Sequence, residues 1–350
     1  MQARALSARG RDGRVTRRVR GNVARVFDTA LVSRTLASLE SRDAGRPGRV
    51  AVMMYHRIDE PDARPDLWPG MISASPTRFA QQIELIATRY TPITVSDLLA
   101  ARRDDRPIPR RAVHVTFDDA YEDFADHAWP TLRHYGVPVT LFVPTGFPDQ
   151  PQRRFWWDRL HVAITATREP AVRVGRRALS LGSPEERQAV FHLLHRTILN
   201  LPHHRAMDLV EGLTRQLGEP STRPGVLDWT SLRRLDAEGV KLAAHSRLHP
   251  RLDRLPPDEL HAETIGSYEE LRAEVPGAAP VFAYPGGHYD NAALDALRTG
   301  QIEIAFCTER RAAQLGRSDW LRLPRINVGQ RTGVGILRAQ LGSWMRLVGR

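Results

Sequence analysis

The chain has 350 residues, 41% of them apolar, which is enough for one large domain or two small ones. The single cysteine, Cys307, excludes an internal disulfide framework. The net charge of +11 lies at the two ends: residues 1–49 carry twelve arginines and four acidic residues, and residues 331–350 carry four arginines and no acid. Because a nucleic-acid-binding protein normally has its basic face on the folded body, the near-neutral middle argues against one.

Both basic ends combine arginines with apolar residues at helical spacing. These apolar residues are Val23, Val26, Phe27, Ala30 and Leu31 near the start, and Leu337, Leu341, Trp344, Met345 and Val348 at the end. The pattern predicts a helical N-terminal extension over 1–48 and an amphipathic helix over 331–350. Such helices either lie on an anionic membrane surface or pack on the folded body, and both alternatives remain open.

No segment has the continuous apolar length of a signal peptide or of a transmembrane helix. We therefore expect a cytoplasmic protein, with possible peripheral contact with the inner face of the plasma membrane.

Between the two ends, short apolar runs alternate with helical patterns. The runs that favour strands are 49–56, 112–119, 137–144, 240–246, 279–285, 303–308 and 321–328. The patterns that favour helices include 76–90, 121–136, 229–239, 256–274 and 291–300. This alternation is typical of parallel strands with crossover helices, and it predicts an α/β fold over 49–330, a distorted (β/α)7 barrel of the TIM type. Residues 150–225 break the rhythm and predict a helical insertion after the third strand.

Polar side chains follow several of the predicted strands, at the end where β/α barrels assemble their active sites. Asp118 and Asp119 end the second strand. Because adjacent strand residues point to opposite faces, the two carboxylates cannot both be solvent-exposed charges on one face of the sheet. His245 and His249 are four residues apart, so one helical turn would bring both imidazoles to one side. Two histidines and a carboxylate are a frequent ligand set for a catalytic zinc ion.

Each motif alone has an ordinary explanation. A pair of histidines at this spacing occurs by chance, and two aspartates after a strand can cap a helix. Their joint occurrence at strand ends of one predicted barrel indicates a metal site, with Asp119 as the third ligand and Asp118 as a base.

At this point the sequence resembles the polysaccharide deacetylases of carbohydrate esterase family 4. The matching residues are "TFDD" (116–119), "HSRLHP" (245–250) and, more loosely, "FAYPGG" (282–287). "MMYHRI" (53–58) and "FWWD" (155–158) resemble a branch of the family with a rearranged motif order, and the resemblance covers residues 50–330. It implies a metal-dependent N-deacetylase on a distorted (β/α)7 barrel.

The resemblance also implies roles for single residues. Asp118 would be the general base, and Asp119, His245 and His249 would hold a divalent metal, for which we expect zinc.

Two departures from the family pattern lead to further assignments. Ala283 stands where the family usually has the arginine that orients the base, and Arg325 is the candidate substitute. No late strand ends in histidine, so His56, at the end of the first strand, is the expected general acid, with His288 as the second candidate.

Three more residues are expected to contact the substrate. Tyr284 would line the cleft, the backbone N–H of Gly286 would stabilise an oxyanion, and Trp157 would stack on a sugar ring. For Trp157, packing between the insertion and the barrel is the alternative.

The expected substrate is an N-acetylated amino sugar in a polysaccharide, an oligosaccharide or a glycolipid. An amidohydrolase of a non-sugar N-acyl compound and a degenerate carbohydrate-binding barrel are the alternatives.

Overall fold

The computed structural model describes residues 47–150, 153–220 and 224–342. The predicted N-terminal extension therefore lies almost entirely outside the described residues, and the predicted C-terminal helix is described only as far as residue 342. The proposed membrane contact of these two ends stays a prediction. Within the described ranges, no helix has the length and apolar character needed to cross a membrane.

The described strands are short, and each takes its label here. They are β1 (Arg49–Tyr55), β2 (Arg57–Ile58), β3 (Ile72–Ala74), β4 (Thr91–Pro92), β5 (Ala112–Phe117), β6 (Val139–Val143), β7 (Ala171–Val174), β8 (Arg177–Ser180), β9 (Lys241–Ala244), β10 (Val281–Ala283), β11 (Ile304–Phe306), β12 (Ala313–Gln314) and β13 (Ile326–Asn327).

The described α-helices are labelled in the same way. They are α1 (Pro76–Arg89), α2 (Val95–Asp104), α3 (Trp129–Tyr135), α4 (Trp156–Ala166), α5 (Pro184–Leu199), α6 (His203–Leu217), α7 (Trp229–Ala237), α8 (Pro257–His261), α9 (Ser267–Glu274), α10 (Asn291–Thr299) and α11 (Val334–Leu341).

Six parallel strands form the body of the main sheet, in the order β11, β10, β9, β6, β5, β1. β13 adds to β1 in parallel, and a single bridge between Phe306 and Leu323 joins the segment before β13 to β11. The sheet thus curls towards a barrel whose seventh strand is short and irregular, which confirms the predicted α/β barrel. Of the predicted strand over 321–328, only Ile326–Asn327 is a regular strand, because Trp320–Arg322 form a 3-10 turn.

The strands are buried on both faces, as parallel strands covered by helices are. Val50, Val52, Phe142 and Phe306 belong to an inner cluster, whereas the alternate residues of β5, such as Val115, pack with α1 in the outer cluster. On β5 the inward set continues from Thr116 to Asp118. The side-chain alternation therefore directs Asp118 into the mouth of the barrel.

The insertion contains the predicted helices, here α4, α5 and α6, which bury their own apolar cluster. It also contains a β-hairpin, β7–β8, in a region for which the sequence analysis predicted only a helical insertion. The two strands have four residues each and are largely exposed, so they show no apolar run to mark them.

Candidate active site

The three predicted metal ligands meet at the ends of two strands. Asp119 follows β5, and His245 and His249 follow β9. The Nε2 atoms of His245 and His249 lie 3.5 Å and 3.3 Å from Asp119 Oδ1, and one ligand atom of each residue lies within 4.8 Å of the others. The sequence prediction that these three residues converge is consistent with this geometry.

The residues present fit a divalent cation. Asp119 is fully buried, and neither of its carboxylate oxygens has a hydrogen-bond partner among the described residues. A buried carboxylate without partners is costly unless a cation compensates it. His245 Nδ1 donates to the Ala283 carbonyl oxygen at 2.7 Å, which leaves Nε2 to face Asp119. Burial lowers the pKa of His245, but Asp118 and Asp119 outweigh it and raise this pKa, so the site favours a positive charge. Burial lowers the pKa of His249 to about 4, which keeps its imidazole neutral, as a metal ligand must be.

Unusual backbone conformations place these ligands. Asp119, Ala120, Ser246 and His249 have φ angles of 74°, 50°, 62° and 58°, in the left-handed region that residues other than glycine seldom adopt. Such strain persists where surrounding contacts hold it, and it is common at functional sites. Here it turns the chain sharply at the end of each strand, so that successive side chains face the site.

Several contacts hold the histidine loop. The Ser246 hydroxyl accepts from the His249 N–H at 3.0 Å. Glu263 Oε2 accepts from the N–H groups of Arg247 and Leu248, each at 2.9 Å.

Two aromatic rings pack edge-to-face against the imidazole of His249: Phe155, with centroids 5.6 Å apart, and Trp157, at 5.0 Å. Trp157 is buried, and its indole N–H donates to the Tyr121 hydroxyl at 2.8 Å. The geometry therefore favours the packing alternative for Trp157 over stacking on a sugar, since the ring already packs against the His249 imidazole.

Asp118 pairs with Arg325 at the bottom of the site. The two guanidinium NH groups donate to the two carboxylate oxygens at 2.7 Å and 2.8 Å, and both side chains are buried. Burial alone would raise the pKa of Asp118, but the Arg325 guanidinium and His245 outweigh it and lower the pKa to about 2. Arg325 thus contacts Asp118, as was expected of the substitute for the family arginine whose position Ala283 occupies in this chain.

His56 is half-buried at the rim of the site. Its backbone N–H donates to the Ser73 hydroxyl at 2.9 Å, and its side chain lines the same cleft as His249 and Gly286. His288 lines this cleft too, and burial together with Arg251 lowers the pKa of His288. A lowered pKa makes His288 less suited than an unperturbed imidazole to donate a proton at neutral pH.

The cleft has a volume of about 210 Å³ and extends from His249 to the insertion. Gly286, with a φ angle of 59°, lines it, as the sequence analysis expected. Tyr284 does not: it has no exposed surface, and its hydroxyl donates to the Leu321 carbonyl at 2.9 Å. The expectation that Tyr284 contacts the substrate is therefore corrected to a packing role after β10.

The sequence analysis missed a buried polar network beneath the cleft. Asp158 Oδ2 accepts from the Tyr121 hydroxyl at 3.0 Å, and Oδ1 accepts from the Trp68 backbone N–H at 2.6 Å. Arg57 pairs with Asp123 at 2.8 Å and stacks over the Tyr121 ring. The signal was present in the quoted "FWWD" and "MMYHRI" segments, whose Asp158 and Arg57 had been given no role.

Comparison with known proteins gives one family match. The family model described as polysaccharide deacetylase matches residues 105–305, more than half of the chain. The poly-beta-1,6-N-acetyl-D-glucosamine N-deacetylase of Escherichia coli K12 is 29% identical over 99 residues, which is 28% of this chain and 14% of that protein. The chain thus spans a small part of the length of this curated relative.

Solved structures share the fold over most of the chain. The deacetylase PplD of Streptococcus pyogenes, solved with acetate, has a TM-score of 0.57 at 18% identity and covers 85% of this chain and 99% of its own. IcaB of Ammonifex degensii has a TM-score of 0.55 at 18% identity and covers 84% of this chain and 97% of its own. At these identities the likeness establishes the fold alone.

Proposed function

This chain belongs to the polysaccharide deacetylase family, and we propose that it is a metal-dependent hydrolase that removes the N-acetyl group from an amino sugar in a glycan. The observation that carries the proposal is the partnerless buried carboxylate of Asp119 between His245 and His249, beside an Asp118 tied to Arg325. The activity named for the Escherichia coli relative supports N-acetylglucosamine as the sugar.

Asp119, His245 and His249 would hold the metal. A divalent cation bound there supplies a Lewis acid for the amide carbonyl and lowers the pKa of a water molecule. The remaining steps belong to side chains of this protein. Asp118, ionised and 3.9 Å from His245 Nε2, accepts the proton of the attacking water. Arg325 keeps both carboxylate oxygens of Asp118 in place.

The opposite side of the cleft completes the reaction. The backbone N–H of Gly286 would donate to the oxyanion that develops on the acetyl carbonyl oxygen. His56, protonated, would donate its proton to the nitrogen of the leaving amine. The C–N bond breaks, and acetate and the free amino sugar leave. Arg325, Asp118 and His56 thus act as positioning residue, base and acid.

A degenerate binding barrel is the less favoured alternative, because the complete ligand set, the base and the paired arginine are all present at the site. An amidohydrolase of non-sugar compounds would use the same chemistry, and substrate panels separate the two.

The direct test is acetate release from chitooligosaccharides and β-1,6-linked N-acetylglucosamine oligomers by the purified chain. We expect release that stops after chelation and returns with zinc or another divalent ion. Full activity in metal-free protein, or hydrolysis of only non-sugar N-acetyl compounds, would contradict the proposal.

A further inference from the structure

The cleft changes character along its length. At one end lie His56, His249 and Gly286, and the far wall is built by the insertion. That wall combines two imidazoles, His195 and His203, with apolar side chains from the end of α5, the turn after it and the start of α6: Ile198, Leu199, Leu201, Ala206 and Met207. Leu199, Leu201 and Met207 keep part of their surface exposed. Exposed apolar surface in a concave site indicates an apolar ligand, because its burial releases water favourably.

The polar groups of the cleft are imidazoles, indole N–H groups and one guanidinium. Among the described residues that line it, none has a carboxylate, amide or hydroxyl side chain. The guanidinium of Arg251 is already engaged, since it donates to the Leu199 carbonyl at 2.9 Å and to Asp253 at 2.6 Å and 3.0 Å. A buried hydroxyl without a partner loses binding free energy. The far wall therefore favours hydrocarbon over a second sugar ring.

The aromatic residues of the cleft do not change this conclusion. The rings of Trp68 and Trp156 lie 4.7 Å and 4.9 Å from the ring of His195, so both indoles pack against this imidazole.

We propose that the insertion forms a subsite for a hydrocarbon aglycone, so that the substrate is a glycolipid in which an N-acetylated sugar carries an apolar chain. This inference rests on the proposed function, because the sugar must place its acetamide at Asp118 and His56. The catalytic end then holds the sugar, and the chain extends along Leu199, Leu201 and Met207. We choose a chain attached to the sugar as the ligand of this wall because the wall and the catalytic end belong to one continuous cleft.

The test uses β-glycosides of N-acetylglucosamine with methyl, butyl, hexyl and octyl aglycones, below the concentrations at which they form micelles. We expect kcat/KM to rise with chain length by up to about fourfold for each methylene that becomes buried. Equal kcat/KM for all four glycosides would overturn the inference, and so would a preference for N-acetylglucosamine oligomers over the octyl glycoside.

Two leucines of α5 provide a matched pair of variants. Leu199 lines the cleft, whereas Leu193 is 43% exposed and lies outside it. Leu199→Gln should lower the octyl-to-methyl ratio of kcat/KM about tenfold or more. Leu193→Gln, the same chemical change on the same helix, should leave the ratio as in the wild type. The same ratio in both variants would mean that the chain does not lie against α5.

A binding measurement keeps the inference separate from the proposed function. Octyl glucoside has no acetamide, and its binding is followed by the fluorescence of the tryptophans that line the cleft. We expect it to bind the wild type more tightly than methyl glucoside does, and to bind Leu199→Gln more weakly. If acetate release fails but this binding persists, the proposed function is wrong and the apolar subsite stands. If acetate is released but octyl glucoside binds no better than methyl glucoside, only the subsite is wrong.

Discussion

Two adjacent carboxylates have opposite surroundings in this site. Asp118 continues the inward alternation of β5 and meets the buried guanidinium of Arg325. Asp119 has a φ angle of 74°, which directs its carboxylate to His245 and His249 instead. One carboxylate is thus compensated by a permanent cation, and the other faces two imidazoles, with no hydrogen bond to its oxygens among the described residues. This difference supports the proposed division of roles between the two carboxylates.

The first prediction concerns metal content. Replacement of His245 or His249 by Ala, or of Asp119 by Asn, should lower bound metal to well below one equivalent and abolish acetate release, since each change removes one of three protein ligands. Elemental analysis after dialysis against zinc measures the content. His204→Ala, an exposed histidine outside the site, is the control. Full metal content in a variant that lacks both His245 and His249 would place the metal elsewhere.

The second prediction concerns the base. Asp118→Asn should retain metal and lose on the order of 10²-fold or more in kcat, because an amide does not accept the proton of water. If Asp118→Asn instead loses metal while Asp119→Asn keeps it, the two roles are reversed.

The partner of that base gives a third prediction. Arg325→Met removes the cation that lowers the pKa of Asp118, so burial should raise this pKa. Asp118 would then become protonated at a higher pH, and the acid limb of the kcat/KM profile should move to higher pH than in the wild type. Arg325→Lys, which keeps the charge but loses the two-point contact, should lie between the two. An unmoved acid limb in Arg325→Met would show that the arginine does not act through Asp118.

His56 carries the fourth prediction. If it protonates the leaving amine, His56→Ala should slow hydrolysis of an N-acetyl amide at least 10²-fold and slow hydrolysis of an activated acetate ester much less, because the ester leaving group needs no proton. Metal content should not change. Equal losses on both substrates would assign His56 a structural role, and His288→Ala would then be measured in the same way.

At the scale of elements, each of two predicted helices contains a π-helical turn that the sequence pattern did not predict. These turns are Phe124–Ala128, within the predicted helix 121–136, and Ala262–Gly266, within 256–274. Each brings a carboxylate to a backbone N–H near the site. Asp123, just before the first turn, accepts from the Ile58 N–H in β2, and Glu263 accepts from two N–H groups of the histidine loop. Turns of this kind are frequent at functional sites.

The same elements show what the sequence could and could not predict. Apolar runs located the strands, because a buried parallel strand must be apolar along its length. "TFDD" and "HSRLHP" located the three residues that converge in the site, because the end of a strand fixes which edge of the sheet a side chain occupies. Asp158 and Glu263 could not be placed in this way. Trp68, a partner of Asp158, lies 90 residues away in sequence, and Arg247 and Leu248, the partners of Glu263, lie 16 and 15 residues away. Such contacts follow from tertiary packing and not from local pattern.

The fifth prediction tests the second of these turns. Glu263→Ala should leave two backbone N–H groups of the histidine loop without their acceptor and weaken the hold on His249. A change of this kind behind a metal ligand typically costs 10- to 100-fold in metal affinity or activity. Zinc affinity, measured by competition with a chelator, is the readout. Glu269→Ala, on α9 with an exposed side chain, is the control and should bind as the wild type does. Equal affinities in the two variants would contradict the assigned role.

At the scale of the whole molecule, the buried network around Asp158 joins the insertion to the barrel. Asp158 lies on α4, its partner Tyr121 follows β5, and its second partner Trp68 lies in the loop between β2 and β3. The insertion is therefore held to the barrel by hydrogen bonds in addition to apolar packing. An apolar residue in place of Asp158 would leave the Tyr121 hydroxyl and the Trp68 N–H without this acceptor.

If this junction stabilises the fold, the free energy of unfolding of the protein should contain a contribution from Asp158 that depends on pH. Burial raises the pKa of Asp158 to about 7 from a value of 3.8 in the unfolded chain, despite its two hydrogen bonds. Between these two values the folded state binds more protons at Asp158 than the unfolded state does, so the contribution of Asp158 to the free energy of unfolding should fall as pH rises from about 4 to about 7. The imidazoles of His114, His195 and His249 contribute with the opposite sign, because burial lowers the pKa of each to about 4. The slope for one such group is at most about 1.4 kcal/mol per pH unit. Burial also raises the pKa of Asp123 to about 6, which adds a smaller loss of the same sign. Urea denaturation of metal-free protein at pH 5 and pH 8 measures the effect. The free energy of unfolding at pH 8 relative to that at pH 5 should be higher in Asp158→Asn than in the wild type, while the exposed control Asp258→Asn should leave this difference unchanged. The same difference in Asp158→Asn as in the wild type would show that Asp158 is ionised in the folded protein.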